Sequence, residues 1–229
     1  MLKATSRAIP LQDAALSTKS QNTSTVYLSR LASPSLQSFL QRNSFRLESI
    51  DVPVVYPEIS THADILLCQL GLWEKAQIFH GDPEKLARNY PGNIRYNAVC
   101  TGKYFIHNLQ YTDPDLLAAA EAKAAAEHTS LTKIHVKQGY TRCSLLPVDD
   151  QTFITSDTGI AKTLADYDTD VLLIRPGHIL LPGFDCGFIG GTGGGLLLAG
   201  RRLLVVNGNI ETHPDYKKIA TFLEDRDID

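Results

Sequence analysis

The sequence has few cysteines, and no two of them lie close together. Cys68, Cys100, Cys143 and Cys186 are spread along 229 residues, and no C-x-x-C pair is present. This spacing excludes a zinc knuckle and a thioredoxin-like redox motif. Because no disulfide framework is indicated, we expect reduced thiols and a cytoplasmic protein.

Long apolar runs and an excess of one charge are also missing. The longest apolar stretches, such as residues 171–174 and 196–199, have the length of a strand and are too short to cross a bilayer. Charged residues interrupt the N-terminus before a signal peptide could form. The formal charge of −3 gives no general attraction to nucleic acid. We therefore expect a small-molecule substrate or ligand, with no nucleic acid and no membrane as partner; nothing indicates the oligomeric state.

The composition is that of a globular protein with one main domain. Hydrophobic residues make up 43% of the chain, which is enough for a single large core. Residues 17–25 are polar throughout and predict a flexible segment. We therefore predict an N-terminal segment, partly flexible, over residues 1–25, and one α/β domain over residues 26–229.

Helix starts recur along this domain. A short polar residue followed by proline suits the first turn of a helix, whose amides lack partners. Four such pairs occur, at Ser33-Pro34, Asp82-Pro83, Asp113-Pro114 and His213-Pro214. A fifth helix start, at residues 156–159, has the polar residues without the proline.

Two short apolar runs joined by a turn precede four of these helices, and this pattern is typical of a β-hairpin. A further strand follows three of the helices, at residues 45–52, 133–136 and 170–175. The predicted hairpins pair residues 64–70 with 76–79, 98–100 with 104–106, 143–148 with 152–155, and 195–198 with 203–206.

The repeating unit is therefore strand, strand, helix, strand, and it recurs about every forty to fifty residues. This period favours an α/β propeller or a solenoid of five pseudosymmetric ββαβ units. We expect the start of each unit's first strand to face a shared central site. The fifth unit lacks its last strand and residues 26–29 form an unmatched one, so we expect these two ends to pair and close a ring. The alternative is an ordinary α/β sheet in which the caps recur by chance.

Chemistry-bearing residues stand where the units begin. In an extended strand His62 and Asp64 point to the same face, where a carboxylate can orient an imidazole for acid–base work. A hydrogen-bonded core histidine is the alternative. Cys143 enters another unit beside Arg142, a cation that favours the thiolate form; the alternative is a small buried side chain.

The stretch from Phe184 to Gly195 has five glycines in its last six positions, among them Gly190 and Gly191. Glycine allows the backbone to crowd a ligand or to turn sharply, so a ligand cradle and a tight central turn are both open. No Gly-Lys-Ser/Thr follows, which excludes a P-loop. If the unit starts converge, His62, Asn97, Cys143 and Gly190 face one another.

The five units, His62-x-Asp64, the Gly-x-x-Arg-Cys-Ser-Leu run at residues 139–145 and the GFDCGFIGG run at residues 183–191 together resemble the guanidino-group-modifying superfamily. Its members include arginine and agmatine deiminases, dimethylarginine hydrolases and amidinotransferases, all five-bladed α/β propellers. The likeness covers the organisation of residues 26–225 and resembles most a bacterial branch with a GFD-x-GFIGG segment.

The resemblance implies a hydrolase or amidinotransferase acting on a guanidino compound, without a cofactor or metal. It implies Cys143 as nucleophile, His62 as acid–base and Asp64 as its orienter or a substrate ligand. The substrate-binding residues are predicted as Asn97, Arg142, Asp185, Gly190 and Gly191.

This sequence departs from the family pattern in its last unit, where the family usually places its cysteine, often after a Gly-Gly pair. Here Gly190-Gly191 is followed by Thr192 and three glycines. Either Cys143 belongs to a permuted arrangement, or the chain is a non-catalytic member that binds a small ligand or a macromolecular partner. A metal enzyme using His62, Asp64 and His178 is weaker, because their spacing is not diagnostic.

Overall fold

A computed structural model describes residues 24–229 as a mixed α/β fold with several small sheets. Residues 1–23, and with them nearly all of the predicted N-terminal segment, lie outside the described residues. The first strand of the described residues begins at Thr25, and the domain is predicted to begin at residue 26.

The described residues contain five helices and twelve strands. The helices are α1 (Pro34–Arg42), α2 (Pro114–Ala126), α3 (Thr141–Ser144), α4 (Thr158–Leu164) and α5 (Tyr216–Glu224). The strands are β1 (Thr25–Tyr27), β2 (Arg46–Glu48), β3 (Leu67–Leu70), β4 (Gln77–His80), β5 (Val99–Cys100), β6 (Tyr104–His107), β7 (Thr132–His135), β8 (Leu145–Pro147), β9 (Thr152–Thr155), β10 (Asp170–Leu173), β11 (Gly193–Leu198) and β12 (Arg201–Val206).

Three predicted helix starts are confirmed, with the side chains that satisfy the first free amides. Ser33 Oγ accepts from the Leu36 amide at 3.3 Å at the start of α1. Asp113 accepts from the amide of Asp115 at 3.0 Å at the start of α2. At α4 the cap is Asp157, which needs no proline because its carboxylate accepts from two successive amides.

The helix predicted at Asp82-Pro83 is wrong. Only a 3₁₀ turn forms, at Pro83–Lys85, and the chain is extended again at Leu86. Leu86 is 6% exposed and packs into the core, so burial of this side chain takes the place of a second helical turn.

The four predicted hairpins are confirmed as antiparallel pairs β3–β4, β5–β6, β8–β9 and β11–β12. After a helix the chain returns beside the second strand, in the parallel pairs β6–β7 and β9–β10. The complete order of hairpin, helix and parallel strand therefore occurs in β5–β6–α2–β7 and in β8–β9–α4–β10. The first unit keeps only β1–α1–β2, and the second keeps only the hairpin β3–β4.

Among residues 24–229 no sheet closes on itself, and the largest has the order β4-β3-β5-β6-β7. The predicted pairing of the first strand with the last unit is wrong, because β1 lies parallel to β2 of its own unit. The place beside β12 is instead taken by the chain after α5, through a parallel bridge between Arg202 and Ile228.

The core consists of apolar layers between the hairpins and their helices. Phe105 on β6 and Phe153 on β9 are fully buried. Leu116 of α2 packs in the same cluster as Phe105, and Ile160 of α4 in the same cluster as Phe153. Helices α2 and α4 therefore each pack on the hairpin of their own unit.

Candidate functional site

The candidate site lies where four successive units begin. Asp64 stands in a 3₁₀ turn at Ala63–Ile65 before β3, and Asn97 stands two residues before β5. Cys143 lies in α3, directly before β8, and Gly190 opens a 3₁₀ turn before β11. The segments before the first strands thus supply the side chains of the site.

Two local predictions for this region are wrong. His62 and Asp64 do not share a face of an extended strand, because residues 63–65 turn and the strand begins only at Leu67. Cys143 likewise lies in a helical turn and not in the strand. In both places a helical turn occupies the residues that the apolar pattern assigns to the start of the strand, and the strands begin only at Leu67 and at Leu145.

Cys143 is held by side chains from two other units. Its Sγ lies 2.9 Å from Asp64 Oδ2, to which the thiol donates. Asn97 donates from Nδ2 to the same sulfur at 3.2 Å and to the Asp64 carbonyl at 3.0 Å, while its Oδ1 accepts from the Cys143 amide at 3.2 Å. Asn97 is fully buried. Its amide group is therefore occupied in fixing Asp64 and Cys143 against each other.

Arg142 fixes the glycine segment. Its guanidinium donates to the carbonyl of Gly190 and, at 2.9 Å, to that of Gly193, while its amide donates to the Asn97 carbonyl at 3.0 Å. Gly190 lies so close that a Cβ there would be 2.1 Å from the Arg142 carbonyl oxygen. The backbone approach requires glycine at this position.

The environment of the thiol opposes ionisation. Burial raises the pKa of Cys143 well above its usual value, and the carboxylate of Asp64 raises it further, while Asn97 and Arg142 lower it by less. The sequence-based expectation of a thiolate beside Arg142 is therefore wrong for the free protein. The guanidinium of Arg142 points to carbonyl groups, and the nearest charge to the sulfur is negative.

This thiol should make the protein less stable in alkali. A folded-state pKa above the unfolded value of about 8.5 adds stability below that pH, and the contribution is lost as the pH rises toward the folded pKa. Between about pH 9 and pH 10 the free energy of unfolding of the wild type should fall more steeply than that of a Cys143→Ser variant, by up to about 1.4 kcal/mol per pH unit. Urea titrations across this range measure the difference. Parallel slopes for the two proteins would contradict it, and Cys186→Ser controls for the loss of a thiol elsewhere.

The other predicted site residues lie in different settings. His62 is partly buried, and its imidazole makes no hydrogen bond to another residue within 24–229. Gly191 is exposed, and a Cβ there would be 3.9 Å from Cys143 Cα. Asp185 is exposed in the loop before the glycine segment, where no described residue bonds it.

His178 does not join His62 and Asp64, because its ring packs at 5.5 Å between centroids on His213. Across the described part of the chain no three His, Cys, Asp or Glu side chains lie close enough to hold a metal ion. The metal alternative therefore finds no support in the geometry.

A cluster of tyrosines beside the site was not predicted. The ring centroid of Tyr90 lies 6.5 Å from that of Tyr111 and 6.1 Å from that of Tyr140. Tyr140 precedes α3, and burial raises its pKa to about 12, with smaller contributions from the Cys143 thiol and from Tyr90. The Tyr90 ring packs against Gly139, and a Cβ on Gly139 would be 2.6 Å from this ring. The dipeptide Gly139-Tyr140, three residues before the cysteine, was the available signal.

This arrangement defines a mixed α/β protein in which a buried thiol contacts a partly buried carboxylate where its units meet. The chain belongs to the family described as a family of unknown function, DUF6873, whose model matches residues 28–229. No curated protein and no solved structure matches the chain. None of the described helices is long and apolar enough to span a membrane.

Proposed function

We propose that the chain is a five-unit α/β propeller that acts on a guanidino compound, with Asp64 binding the cation and Cys143 attacking its central carbon. The observation that carries this proposal is the 2.9 Å contact between Cys143 Sγ and Asp64 Oδ2. Two different units thus place a nucleophile and an anion side by side. A reaction on a planar cation requires the anion to bind the charge and the nucleophile to attack the carbon.

Contacts between successive units support the ring. The first unit contacts the second, each following unit contacts the next, and the last returns to the first. These contacts are Ser29 Oγ to Thr61 Oγ1 at 2.7 Å, the parallel pair β3–β5, the Arg142 amide to the Asn97 carbonyl at 3.0 Å, Arg142 Nη2 to the Gly193 carbonyl at 2.9 Å, and the Ser33 amide to Asn207 Oδ1 at 2.8 Å. Such a circuit is what a propeller without a continuous sheet requires.

Asp64 suits a guanidinium in charge and in shape. The forked N–H donors of this cation match the two oxygens of a carboxylate. When the cation binds at Asp64, its carbon comes within reach of the sulfur, and its positive charge offsets the effect of Asp64 on the thiol. An opposite charge at this distance lowers a thiol pKa, so the substrate itself promotes formation of the nucleophile.

The reaction proceeds in two balanced steps. The Cys143 thiol gives its proton to His62 and the sulfur adds to the guanidinium carbon. A C–S bond forms, and one C–N bond breaks as the departing nitrogen takes that proton from His62. Water then attacks the same carbon, the C–S bond breaks, and a urea-type product leaves with the thiol restored. An amine in place of water makes the protein an amidinotransferase. His62, two residues before Asp64, is the proposed proton donor.

The tyrosine cluster of Tyr90, Tyr111 and Tyr140 supports a cationic ligand. Aromatic faces carry negative potential and attract guanidinium groups that lie over them. Tyr90 is 49% exposed and Tyr111 is 39% exposed, so both rings are open to a ligand that approaches Cys143 past Tyr140.

Alkylation of Cys143 tests the proposal. In a Cys186→Ala background, which removes the most exposed thiol of the described residues, iodoacetamide should modify Cys143 slowly at pH 7. A guanidino compound at saturation that does not turn over should lower the apparent pKa of alkylation by at least about one unit or block the reaction, because the cation lies beside the sulfur. Peptide mapping by mass spectrometry over pH 6–10 measures both effects.

A urea-matched control separates charge from shape, since an alkylurea has the size of an alkylguanidine without its charge. It should leave the alkylation profile unchanged. Faster modification of Cys68 or Cys100 than of Cys143, or no response to any guanidino compound, would contradict the proposal. Release of ammonia, urea or a ureido product from guanidino compounds that do turn over would identify the reaction.

Non-catalytic binding is the second candidate, favoured by a specific observation. In the free protein the thiol is protonated, and both Asn97 and Arg142 are occupied by internal hydrogen bonds. A rigid cluster of this kind also serves a protein that only holds its ligand. Binding without any product, retained when Cys143 is replaced, distinguishes this function from catalysis.

A further inference from the structure

His213 is a buried histidine at the start of the last helix. Only 4% of its surface is exposed, and α5 begins shortly after it, at Tyr216. Its Nδ1 accepts a hydrogen bond from the Asp215 amide at 3.0 Å. A ring nitrogen that accepts from an N–H carries no proton itself, so the neutral imidazole has its proton on Nε2. The backbone at the start of α5 therefore requires the neutral form of His213.

Asp215 joins this turn to the chain that follows β10. Its Oδ2 accepts from the Arg175 amide at 2.8 Å and from Arg175 Nε at 3.1 Å, and its Oδ1 accepts from Arg175 Nη2 at 3.1 Å. Arg175 Nη2 also donates to the Pro214 carbonyl at 2.7 Å, and Lys218 Nζ lies 3.2 Å from Asp215 Oδ1. The hydrogen bonds from Arg175 hold the pKa of Asp215 well below its usual range, so this carboxylate stays charged in weak acid.

The charged and titratable groups that face His213 come from two elements. The chain after β10 supplies Arg175 and His178, whose ring centroid lies 5.5 Å from that of His213, and the start of α5 supplies Asp215. Burial is the largest effect on the imidazole and lowers the pKa of His213. The Arg175 carbonyl and the Asp215 carboxylate raise this pKa by less, while the charges of His178 and Arg175 lower it further. Protonation is therefore easier when the ring leaves this place.

We propose that His213 is an acid-sensitive attachment of α5, which holds the start of this helix to the chain after β10 at neutral pH and releases it in weak acid. A proton on Nδ1 makes this atom a donor that faces the donating amide of Asp215. The hydrogen bond is then replaced by a repulsion, so the turn at residues 213–215 must open when His213 takes up a proton from solvent.

The release of α5 acts on the glycine segment through one apolar cluster. Ile219 of α5 is buried in the same cluster as Ile189, which directly precedes Gly190. Gly190 in turn packs on the backbone of α3 and accepts from the Arg142 guanidinium. Acid therefore weakens the packing behind the candidate site. The inference does not depend on the proposed reaction, since each contact it uses lies in the fold and requires no substrate.

Hydrogen exchange of single amides, measured by NMR, tests this attachment. The amides of Asp215, Tyr216 and Ile219 donate to His213 Nδ1, to the His213 carbonyl and to the Asp215 carbonyl. Their protection factors should fall together by about five- to tenfold from pH 7.5 to pH 5.5, because an opened His213 has an ordinary pKa of about 6.5. The Leu117 amide, which donates to the Asp113 carbonyl at the start of α2, should change less than about twofold.

His213→Asn is the decisive variant. An asparagine oxygen accepts from the amide two residues on, as in an Asx turn, and it does not titrate in this range. The same three amides should then change less than about twofold between the two pH values. His178→Asn is the matched control, because it removes the facing ring and leaves His213 in place, and it should show the fall of the wild type.

An NMR titration of the His213 imidazole in the wild type tests the same attachment without any substitution. The neutral ring should carry its proton on Nε2, and its midpoint should lie below about pH 6.5. Any one of four results would overturn the proposal. These are an equal fall at Leu117, a fall retained in His213→Asn, a fall lost in His178→Asn, and a neutral ring protonated on Nδ1 or a midpoint at or above about pH 6.5.

Discussion

A Cys143→Ser variant should lose at least about 10³-fold in turnover of the guanidino substrate while it keeps its fold and binds the substrate as before. Serine retains the contacts that the thiol makes, because a hydroxyl can donate to Asp64 Oδ2 and accept from Asn97 Nδ2. What it lacks is acidity, since an alcohol does not ionise when a cation arrives. Steady-state kinetics with thermal unfolding of both proteins measures the two effects separately.

Asp64→Asn is the complementary variant. Loss of the carboxylate removes the charge that binds the cation, so the substrate should bind at least about tenfold more weakly. In the absence of substrate the pKa of Cys143 should fall, because Asp64 is one of the groups that raise it. Full turnover in Cys143→Ser would contradict the nucleophilic role of Cys143 and assign the thiol a structural role. Cys186→Ser, at a partly exposed thiol far along the chain, should behave as the wild type.

The elements that sequence predicts correctly here are those specified locally. Asp113-Pro114 begins α2 and the turn at Thr101-Gly102 closes β5–β6, since a cap or a turn requires only neighbouring residues. Asp82-Pro83 carries the same local signal and makes only a 3₁₀ turn, because burial of Leu86 ends it. Whether a helix forms after Asp82-Pro83 thus depends on how Leu86 packs against residues far away in the sequence. The residues next to Pro83 in the sequence do not carry this information.

In the candidate site, too, the correct predictions are those that depend on the local sequence pattern, and the wrong one depends on contacts between distant residues. The repeated unit predicts that His62, Asn97, Cys143 and Gly190 face one another at the unit starts. The structure brings Asn97 and Cys143 into contact, and the second unit contributes the side chain of Asp64 to this contact. The charge around the sulfur was predicted with the wrong sign, because Arg142 is next to Cys143 in sequence whereas Asp64 is 79 residues away. Neighbours in sequence suggested a thiolate; neighbours in space favour the thiol.

Gly190→Ala should destabilise the protein by about 3 kcal/mol or more. A Cβ at this position would be 2.1 Å from the Arg142 carbonyl oxygen, 2.7 Å from that of Cys143 and 2.9 Å from that of Leu145. All three atoms belong to the backbone, so no side chain can rotate away to make room. The glycine segment must move away from α3, which also breaks the hydrogen bonds from the Arg142 guanidinium to Gly190 and Gly193.

Gly191→Ala is the matched control, since its Cβ would meet nothing closer than 3.9 Å. Its free energy of unfolding should stay within about 0.5 kcal/mol of the wild type. The difference between the two neighbouring alanines in urea unfolding therefore measures the close approach of the fifth unit to the fourth. If both alanines cost the same, the segment does not pack on α3 in this way, and the support of Cys143 from that side is lost with it. A large loss of stability in Gly190→Ala, with none in Gly191→Ala, would instead show why this position of the last unit is a glycine. The backbone of α3 occupies the space that a side chain at residue 190 requires.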